Sequence, residues 1–197
     1  GEVSPNLACR LSIIKKLEKK GFKVTYENML IMPTNFAVPM EQPLARLLLE
    51  ALPKKVKAAV SDIESGTVRR TSPPLFDRLL TAIAKLEHIG ARSFGKHIKA
   101  NDSCIGCGWC AENCPSSNIT MQADRPVCGN NCNFCLCCIY GCPSQSLVPA
   151  FGKFAIIKEG YDLNALEKTP VPENADIAAL TKGSGWKGIR EYLLNSD

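Results

Sequence analysis

The sequence predicts an α+β protein in which helices and short strands accompany a compact cysteine-rich segment. Apolar residues recur every three or four positions through much of the N-terminal half, which is typical of amphipathic helices. A short alternating run at residues 22–26 predicts a strand. Ten of the eleven cysteines lie between Cys104 and Cys142, mostly two or three residues apart. With 45% hydrophobic and 22% charged residues over 197 positions, the composition is that of a folded protein.

The first predicted element is a helix over residues 5–20. A Ser-Pro pair at residues 4–5 supplies an N-cap and a first-turn proline, and Gly21 follows the last periodic residue. The alternating run 22–26 then leads into the apolar run 29–32, as in a strand that becomes buried on both faces. A helix, a short turn and a strand form the end of a parallel α/β unit.

Two further helices are predicted to connect this unit to the cysteines. Apolar residues spaced three or four apart between Leu44 and Ile63 predict a long helix, kinked at Pro53. Residues 72–74 (Ser-Pro-Pro) begin another helix, whose buried side runs from Leu75 to Leu86.

The C-terminal segment predicts a mixture of short elements. Residues 154–157 are expected to add a strand, and the Pro/Glu-rich stretch 169–175 is interpreted as a linker. Residues 180–193 predict a short amphipathic helix. Such a short helix is marginal on its own, so we expect it to pack on the body of the protein, with docking to a partner as the alternative.

The charge pattern excludes some functions. The net charge is +5, and the basic excess lies outside the cysteine runs, at clusters such as residues 15–20 and 54–57. These clusters are interpreted as solvated helix faces, or as a docking surface for an acidic redox partner. No recognition motif accompanies them, so nucleic-acid binding is not expected.

No apolar run approaches the roughly 20 residues of a membrane span, so we expect no membrane insertion and a cytoplasmic location.

The cysteines form two copies of one motif. Residues 104–115 and residues 132–143 both match C-x2-C-x2-C-x3-C-P, the run that ligates bacterial 4Fe-4S clusters. Two-residue gaps let a tightly curled loop aim three thiolates at one cluster, and Gly106 and Gly108 let backbone amides approach its sulfurs. Where two clusters are present, the fourth cysteine of each run ligates the other cluster. This predicts two 4Fe-4S sites, with the ligands Cys104, Cys107, Cys110 and Cys142 and the ligands Cys132, Cys135, Cys138 and Cys114.

Other interpretations of the cysteines explain less. A zinc site needs only four ligands, built from pairs such as C-x2-C, and would not require the third cysteine and the terminal Cys-Pro in both copies. A disulfide framework is not expected in a cytosolic chain. Three cysteines fall outside the motif: Cys9 is expected in a helix core, and Cys137 as a buried or half-exposed thiol. Cys128 is expected to pack beneath the second cluster, although it could replace a ligand or bind another metal.

No other catalytic constellation is evident. His88 and His97 are the only histidines and are expected at the surface. A Ser-His-Asp set, a phosphate-binding loop and a dinucleotide fingerprint are all missing from the sequence. The strongly supported chemistry is therefore electron transfer, by a carrier or by the electron-transfer part of an oxidoreductase.

The motifs resemble a known family. The segment from about Ile98 to Ala150 resembles a bacterial two-cluster ferredoxin. The order of elements around it resembles the bacterial and archaeal proteins that fuse an N-terminal flavodoxin-like domain to such a ferredoxin. In that family a Met-Pro-x-Asn turn, here residues 32–35, follows the last flavodoxin strand, and long helices lead into the loop that here begins at Cys104.

The resemblance implies a division into four parts. Residues 1–40 would be the C-terminal part of a flavodoxin-like α/β domain, 41–97 a helical connector, 98–150 the two-cluster ferredoxin domain and 151–197 a C-terminal extension. A lone strand leaves its ladder groups unpaired, so we expect the chain to be a fragment whose other strands lie upstream. The FMN phosphate loop of flavodoxins is missing from the sequence, so FMN is expected only in a longer, intact protein.

The sequence thus predicts low-potential electron transfer through two 4Fe-4S clusters, with redox proteins as donor and acceptor. Four thiolates give each oxidised cluster roughly −2 charge, which lowers its potential. The apolar shell expected to exclude water comprises Ile105, Trp109, Ile119, Phe134 and Ile139. The alternatives are the iron-sulfur portion of an FMN-dependent oxidoreductase and a structural or sensory iron-sulfur module.

Overall fold

The computed structural model describes residues 10–70 and 87–195. Its elements are helices and two small antiparallel sheets, as expected of an α+β protein. The helices are α1 (Leu11–Lys19), α2 (Gln42–Glu64), α3 (Glu87–Lys96), α4 (Trp109–Glu112), α5 (Cys137–Tyr140), α6 (Leu163–Glu167), α7 (Ile177–Leu180) and α8 (Lys187–Leu194). The strands are β1 (Ile98–Ala100), β2 (Ile119–Gln122), β3 (Arg125–Cys128) and β4 (Leu147–Pro149), and 3₁₀-helices lie at Lys153–Ala155 and Ser184–Trp186.

The chain folds into two compact units. Among the described residues, the first unit comprises 10–34, 39–70 and 163–195, and the second comprises 35–38 and 87–162. The segment 35–38 therefore belongs to the second unit, although its neighbours in sequence belong to the first. The four-part division expected from the family resemblance stays a prediction.

The first unit is built around the long helix α2. Its buried core consists of Ile31, Leu44, Leu48 and Ile189. Burying each such side chain contributes about 1.5–3 kcal/mol, so this core holds α2 and α8 together. The predicted long helix is confirmed, with Pro53 inside it. The terminal helix packs on the body of this unit, as expected, but it begins at Lys187 and not at residue 180.

Two other expectations for the first unit are only partly met. The first helix begins at Leu11 within the described residues, and residues 5–9 of the predicted helix lie outside them. The predicted strand at residues 22–32 is wrong. Only Tyr26 pairs there, in an isolated parallel bridge to Arg69. A strand needs a neighbouring strand for its ladder, and the described residues supply one bridge.

Expectations for the remaining segments have mixed outcomes. The predicted strand at 154–157 is wrong, because Lys153–Ala155 forms a 3₁₀-helix and no ladder partner lies beside it among the described residues. The stretch 169–175 is free of helix and strand, as expected of a linker. The predicted helix at residues 72–86, and the position of Cys9, lie outside the described residues.

The second unit contains both sheets. Strand β1 pairs with β4, and β2 pairs with β3, each antiparallel. The buried residues between them are Phe94, Ile98, Cys110, Ile119, Leu136 and Leu147. Because this small core closes around the cysteine runs, it positions the site described next.

Among residues 10–70 and 87–195, no helix combines the length and the apolar character that a membrane span requires.

Candidate iron-sulfur site

The two cysteine runs adopt one backbone shape twice. Each cysteine of the second run follows its counterpart by 28 positions, as Cys132 follows Cys104. The left-handed backbone angles repeat at the same spacing: φ is +67° at Gly106 and +56° at Phe134, and +77° at Gly108 and +60° at Leu136. Glycine adopts such angles at little cost, whereas phenylalanine and leucine adopt them at a cost of about 1–2 kcal/mol each. The second loop is therefore the more strained one.

In both sheets, a strand that precedes one cysteine run pairs with a strand that follows the other run. Strand β1, which precedes the first run, pairs with β4, which follows the second run. Strand β3, which precedes the second run, pairs with β2, which follows the first run. The start of each repeat therefore lies beside the end of the other. This pairing brings the last cysteine of one run close to the first three of the other.

A first cavity collects four cysteines from both runs. Cys104, Cys107 and Cys110 line it together with Cys142. Its other walls are largely apolar, and they include Trp109. The Trp109 ring lies directly against Gly141, where a Cβ atom would come within 1.8 Å of it. The indole therefore covers the junction between the two loops.

A second cavity collects the complementary set. Cys132, Cys135 and Cys138 line it together with Cys114 and with the additional Cys128. Gly95 of α3 packs against this loop so closely that a Cβ atom there would lie 2.1 Å from the Cβ of Cys132. Only glycine fits at this contact, so α3 fixes the position of Cys132.

The last cysteine of each run accepts hydrogen bonds from the residues that follow it. The Sγ of Cys114 accepts from the Asn118 amide at 3.2 Å and lies 3.6 Å from the Ser116 hydroxyl. The Sγ of Cys142 accepts from the Ser146 amide at 3.3 Å, with the Ser146 and Ser144 hydroxyls at 3.3 and 3.6 Å.

These hydrogen bonds favour the thiolate form at both positions. Burial alone would raise the pKa of both thiols. The hydrogen bonds outweigh burial, lowering the pKa of Cys114 and bringing that of Cys142 to about 7. A thiol must lose its proton to bind metal, so these two are prepared for coordination.

Four other cysteines around the two cavities are desolvated. Burial, reinforced by neighbouring cysteines, raises the pKa of Cys128 to about 11 and raises that of Cys138 further. Burial also raises the pKa of Cys132 and Cys110, although backbone hydrogen bonds oppose it at both. Raised pKa values favour the protonated thiols in the metal-free chain, and coordination would deprotonate those that bind metal.

The donor sets fit 4Fe-4S clusters better than single ions. Four motif cysteines line each cavity, with Cys128 as a fifth cysteine at the second, and cysteine thiolates are the ligands that hold such clusters. No three His, Cys, Asp or Glu side chains in the described ranges converge as ligands of one ion would. Zinc requires its sulfurs to converge at about 2.3 Å from one centre. A cluster binds each thiolate through a different iron, so its ligands lie further apart. None of the ten described cysteines is in a disulfide.

The remaining candidate residues lie as follows. Cys137 is half-buried, with its Sγ 3.7 Å from the Asn113 carbonyl oxygen. His97 is exposed, as expected, and its Nδ1 lies 2.6 Å from the Ser93 carbonyl oxygen. The side chain of His88 lies outside the described residues.

The predicted apolar shell is met in part. Ile105 and Trp109 line the first cavity, but Ile105 is 69% exposed and therefore shields it poorly from solvent. Ile119 is buried and lines the second cavity, whereas Phe134 and Ile139 are partly buried and pack on the core of this unit.

Sequence reasoning missed three residues that support the second loop. They are Gly95, Asn35 and Tyr140. The Asn35 side chain donates a hydrogen bond to the backbone carbonyl of Cys135, which lies 100 positions later in the chain. No local pattern indicates such a contact. The one sequence signal at Asn35 is its place in the Met-Pro-x-Asn turn of residues 32–35.

A comparison with protein families matches one segment of the chain. Residues 98–120 match the family described as the 4Fe-4S binding domain. The chain therefore carries an iron-sulfur, ferredoxin-like domain, and iron-sulfur electron transfer is the general chemistry of such a domain. The match spans the first cysteine run. None of the curated proteins and none of the solved structures matches the chain.

Proposed function

We propose that the chain is a low-potential electron carrier with two 4Fe-4S clusters. The first would be held by Cys104, Cys107, Cys110 and Cys142, and the second by Cys114, Cys132, Cys135 and Cys138. The observation that carries this proposal is the grouping of the eight motif cysteines around two cavities, each with three from one run and one from the other.

The chain's own residues support this role in three ways. The strand pairs β1–β4 and β2–β3 each join one repeat to the other, so that both repeats enclose each cavity. Amide and hydroxyl donors face the sulfurs of Cys114 and Cys142, where they stabilise negative charge. Apolar residues of the shared core, including Ile119 and Leu136, exclude water from one side of the sites.

The electrostatics fit a low potential. When bound, each cluster accepts and returns one electron at a potential set by its charge, its hydrogen bonds and its exposure to solvent. The surroundings supply little positive charge to offset the thiolates. From residue 126 to residue 152 the sequence holds no charged residue, and residues 101–125 hold three acidic residues (Asp102, Glu112 and Asp124) and one basic residue, Arg125.

The experiment is anaerobic purification followed by iron and sulfide analysis. The proposal predicts about eight iron and about eight sulfide per chain. The EPR spectrum of the dithionite-reduced protein should show two spin-coupled clusters. Four iron per chain with an uncoupled spectrum would contradict the second cluster, and stoichiometric zinc would contradict both.

A further inference from the structure

Segment 35–38 packs on the second cysteine loop, and this contact gives Asn35 and Tyr140 a role. We propose that these two are positioning residues for the second cluster: they hold the strained second loop in the shape that its ligands need. The inference rests on the proposed function, since it concerns one of the two proposed clusters. It assigns a role to Asn35, the last residue of the Met-Pro-x-Asn turn, that electron transfer alone leaves unexplained.

Hydrogen bonds form a chain from the turn to the loop. The Asn35 Nδ2 donates to the Cys135 carbonyl oxygen at 3.1 Å. The Tyr140 hydroxyl donates to the Asn35 carbonyl oxygen at 2.8 Å and accepts from the Ile157 amide at 2.9 Å. One tyrosine thus joins the end of α5 to two other segments of the second unit. The Ala37 amide anchors the turn further by donating to the Ala155 carbonyl oxygen at 2.9 Å.

Aromatic contacts act on the same loop. The ring of Phe134 lies edge-on between Phe36, at a centroid distance of 5.6 Å, and Phe94, at 4.4 Å. Phe134 and Leu136 are the two residues between Cys132 and Cys138 that are held at positive φ. Such a conformation persists only when its surroundings enforce it. The packing of Phe36 and the bond from Asn35 are two of those constraints.

The first loop has different residues at the equivalent positions. Gly106 and Gly108 stand where the second loop has Phe134 and Leu136, so the first loop adopts its shape with little strain. The counterpart of Tyr140, 28 positions earlier, is Glu112, which is exposed. The need for outside support is therefore specific to the second loop.

The shape of this loop determines a donor to a cluster ligand. The Phe134 amide donates to the Sγ of Cys132 at 3.3 Å. Donors to ligand sulfurs stabilise the more negative, reduced state and raise the potential. If Asn35 or Tyr140 is changed, the loop relaxes and this donor moves. The second cluster should then bind less tightly and have a lower potential, whereas the first should keep both properties.

The test uses Asn35→Ala and Tyr140→Phe in the full chain. Tyr140→Phe keeps the ring and removes only the hydroxyl. The matched control is Tyr26→Phe, which removes a hydroxyl that donates to Asp62 at 2.9 Å in the first unit. The measurements are iron release to a chelator under anaerobic conditions, potentials of each cluster from EPR-monitored titration, and amide exchange of residues 132–141.

In each variant we expect the iron of the second cluster, half of the total, to be released up to about tenfold faster than in the wild type. A tenfold change corresponds to the loss of an interaction of about 1.4 kcal/mol. The second cluster should shift to a lower potential and exchange in residues 132–141 should rise, while Tyr26→Phe changes none of these. Equal effects on both clusters, or on neither, would overturn the inference. Wild-type protein with fewer than two clusters would instead overturn the proposed function, and the two failures are therefore distinguishable.

Discussion

Gly95→Ala should remove the second cluster selectively. Gly95 is a buried residue of α3, and a Cβ atom at this position would lie 2.1 Å from the Cβ and 2.7 Å from the Sγ of Cys132. Carbon atoms in contact are normally about 3.5–4.0 Å apart. Rotation about χ1 moves the Sγ of Cys132 but leaves its Cβ in place. The backbone of α3 or of the second loop must therefore move by more than 1 Å, roughly the shortfall from ordinary contact.

The energetic balance favours disruption. Overpacking of this kind costs about 1–3 kcal/mol, whereas alanine gains at most about 1 kcal/mol over glycine inside a helix. We therefore expect a net destabilisation of up to about 2 kcal/mol. Displacement of Cys132 would remove one of the four proposed ligands of the second cluster, so iron should fall from about eight to about four per chain.

The control is Gly90→Ala in the same helix. Among the described residues outside the helix backbone, none has an atom within 4 Å of the Cβ position at Gly90, so this change should stabilise α3 by about 0.5–1 kcal/mol and keep all the iron. Iron analysis and EPR of the reduced proteins compare the two variants. If Gly95→Ala retained eight iron, the spin-coupled spectrum and the wild-type stability, the packing of α3 on the second loop would be refuted.

Three further changes test other parts of the structure. Ser146→Ala removes a hydroxyl that lies 3.3 Å from the Sγ of Cys142. The potential of the proposed first cluster should therefore fall by up to about 59 mV, which corresponds to about 1.4 kcal/mol. An unchanged potential in an EPR-monitored titration would contradict this prediction. Ile189→Ala empties a fully buried position of the first unit and should reduce the free energy of unfolding by about 2–5 kcal/mol in urea, with iron content unchanged; loss of iron would contradict it. FMN added to the purified chain should not bind with micromolar affinity, since the sequence has no phosphate loop; tight binding in a fluorescence titration would show that the N-terminal third is misinterpreted.

Local spacing predicted what depends on local geometry. The cysteine runs could be identified because three ligands of one cluster must come from a short, curled loop, although ligation itself stays a prediction. Helix α2 was predictable because its buried side chains, such as Leu44 and Leu48, recur at helical spacing. Gly106 and Gly108 likewise marked a loop that needs positive φ.

Features that depend on distant parts of the chain were not predictable in this way. The strand expected at 22–32 failed because its pattern specifies a buried face but supplies no ladder partner. The positive φ at Phe134 and Leu136 contradicts their local preferences, and Phe134 packs against two distant residues, Phe36 of segment 35–38 and Phe94 of α3. The contact between Asn35 and Cys135 depends on tertiary structure alone.

The crossed ligation is tested most directly by the EPR spectrum and iron content of Cys114→Ser. Cys114 belongs to the first run but lines the second cavity, whereas Cys142 belongs to the second run but lines the first. Cys114→Ser should therefore impair the cluster on Cys132, Cys135 and Cys138, leaving about four iron and an uncoupled signal from the other cluster. Loss of the cluster on the first run, with the second retained, would show that each run supplies all four of its own ligands and would contradict the account.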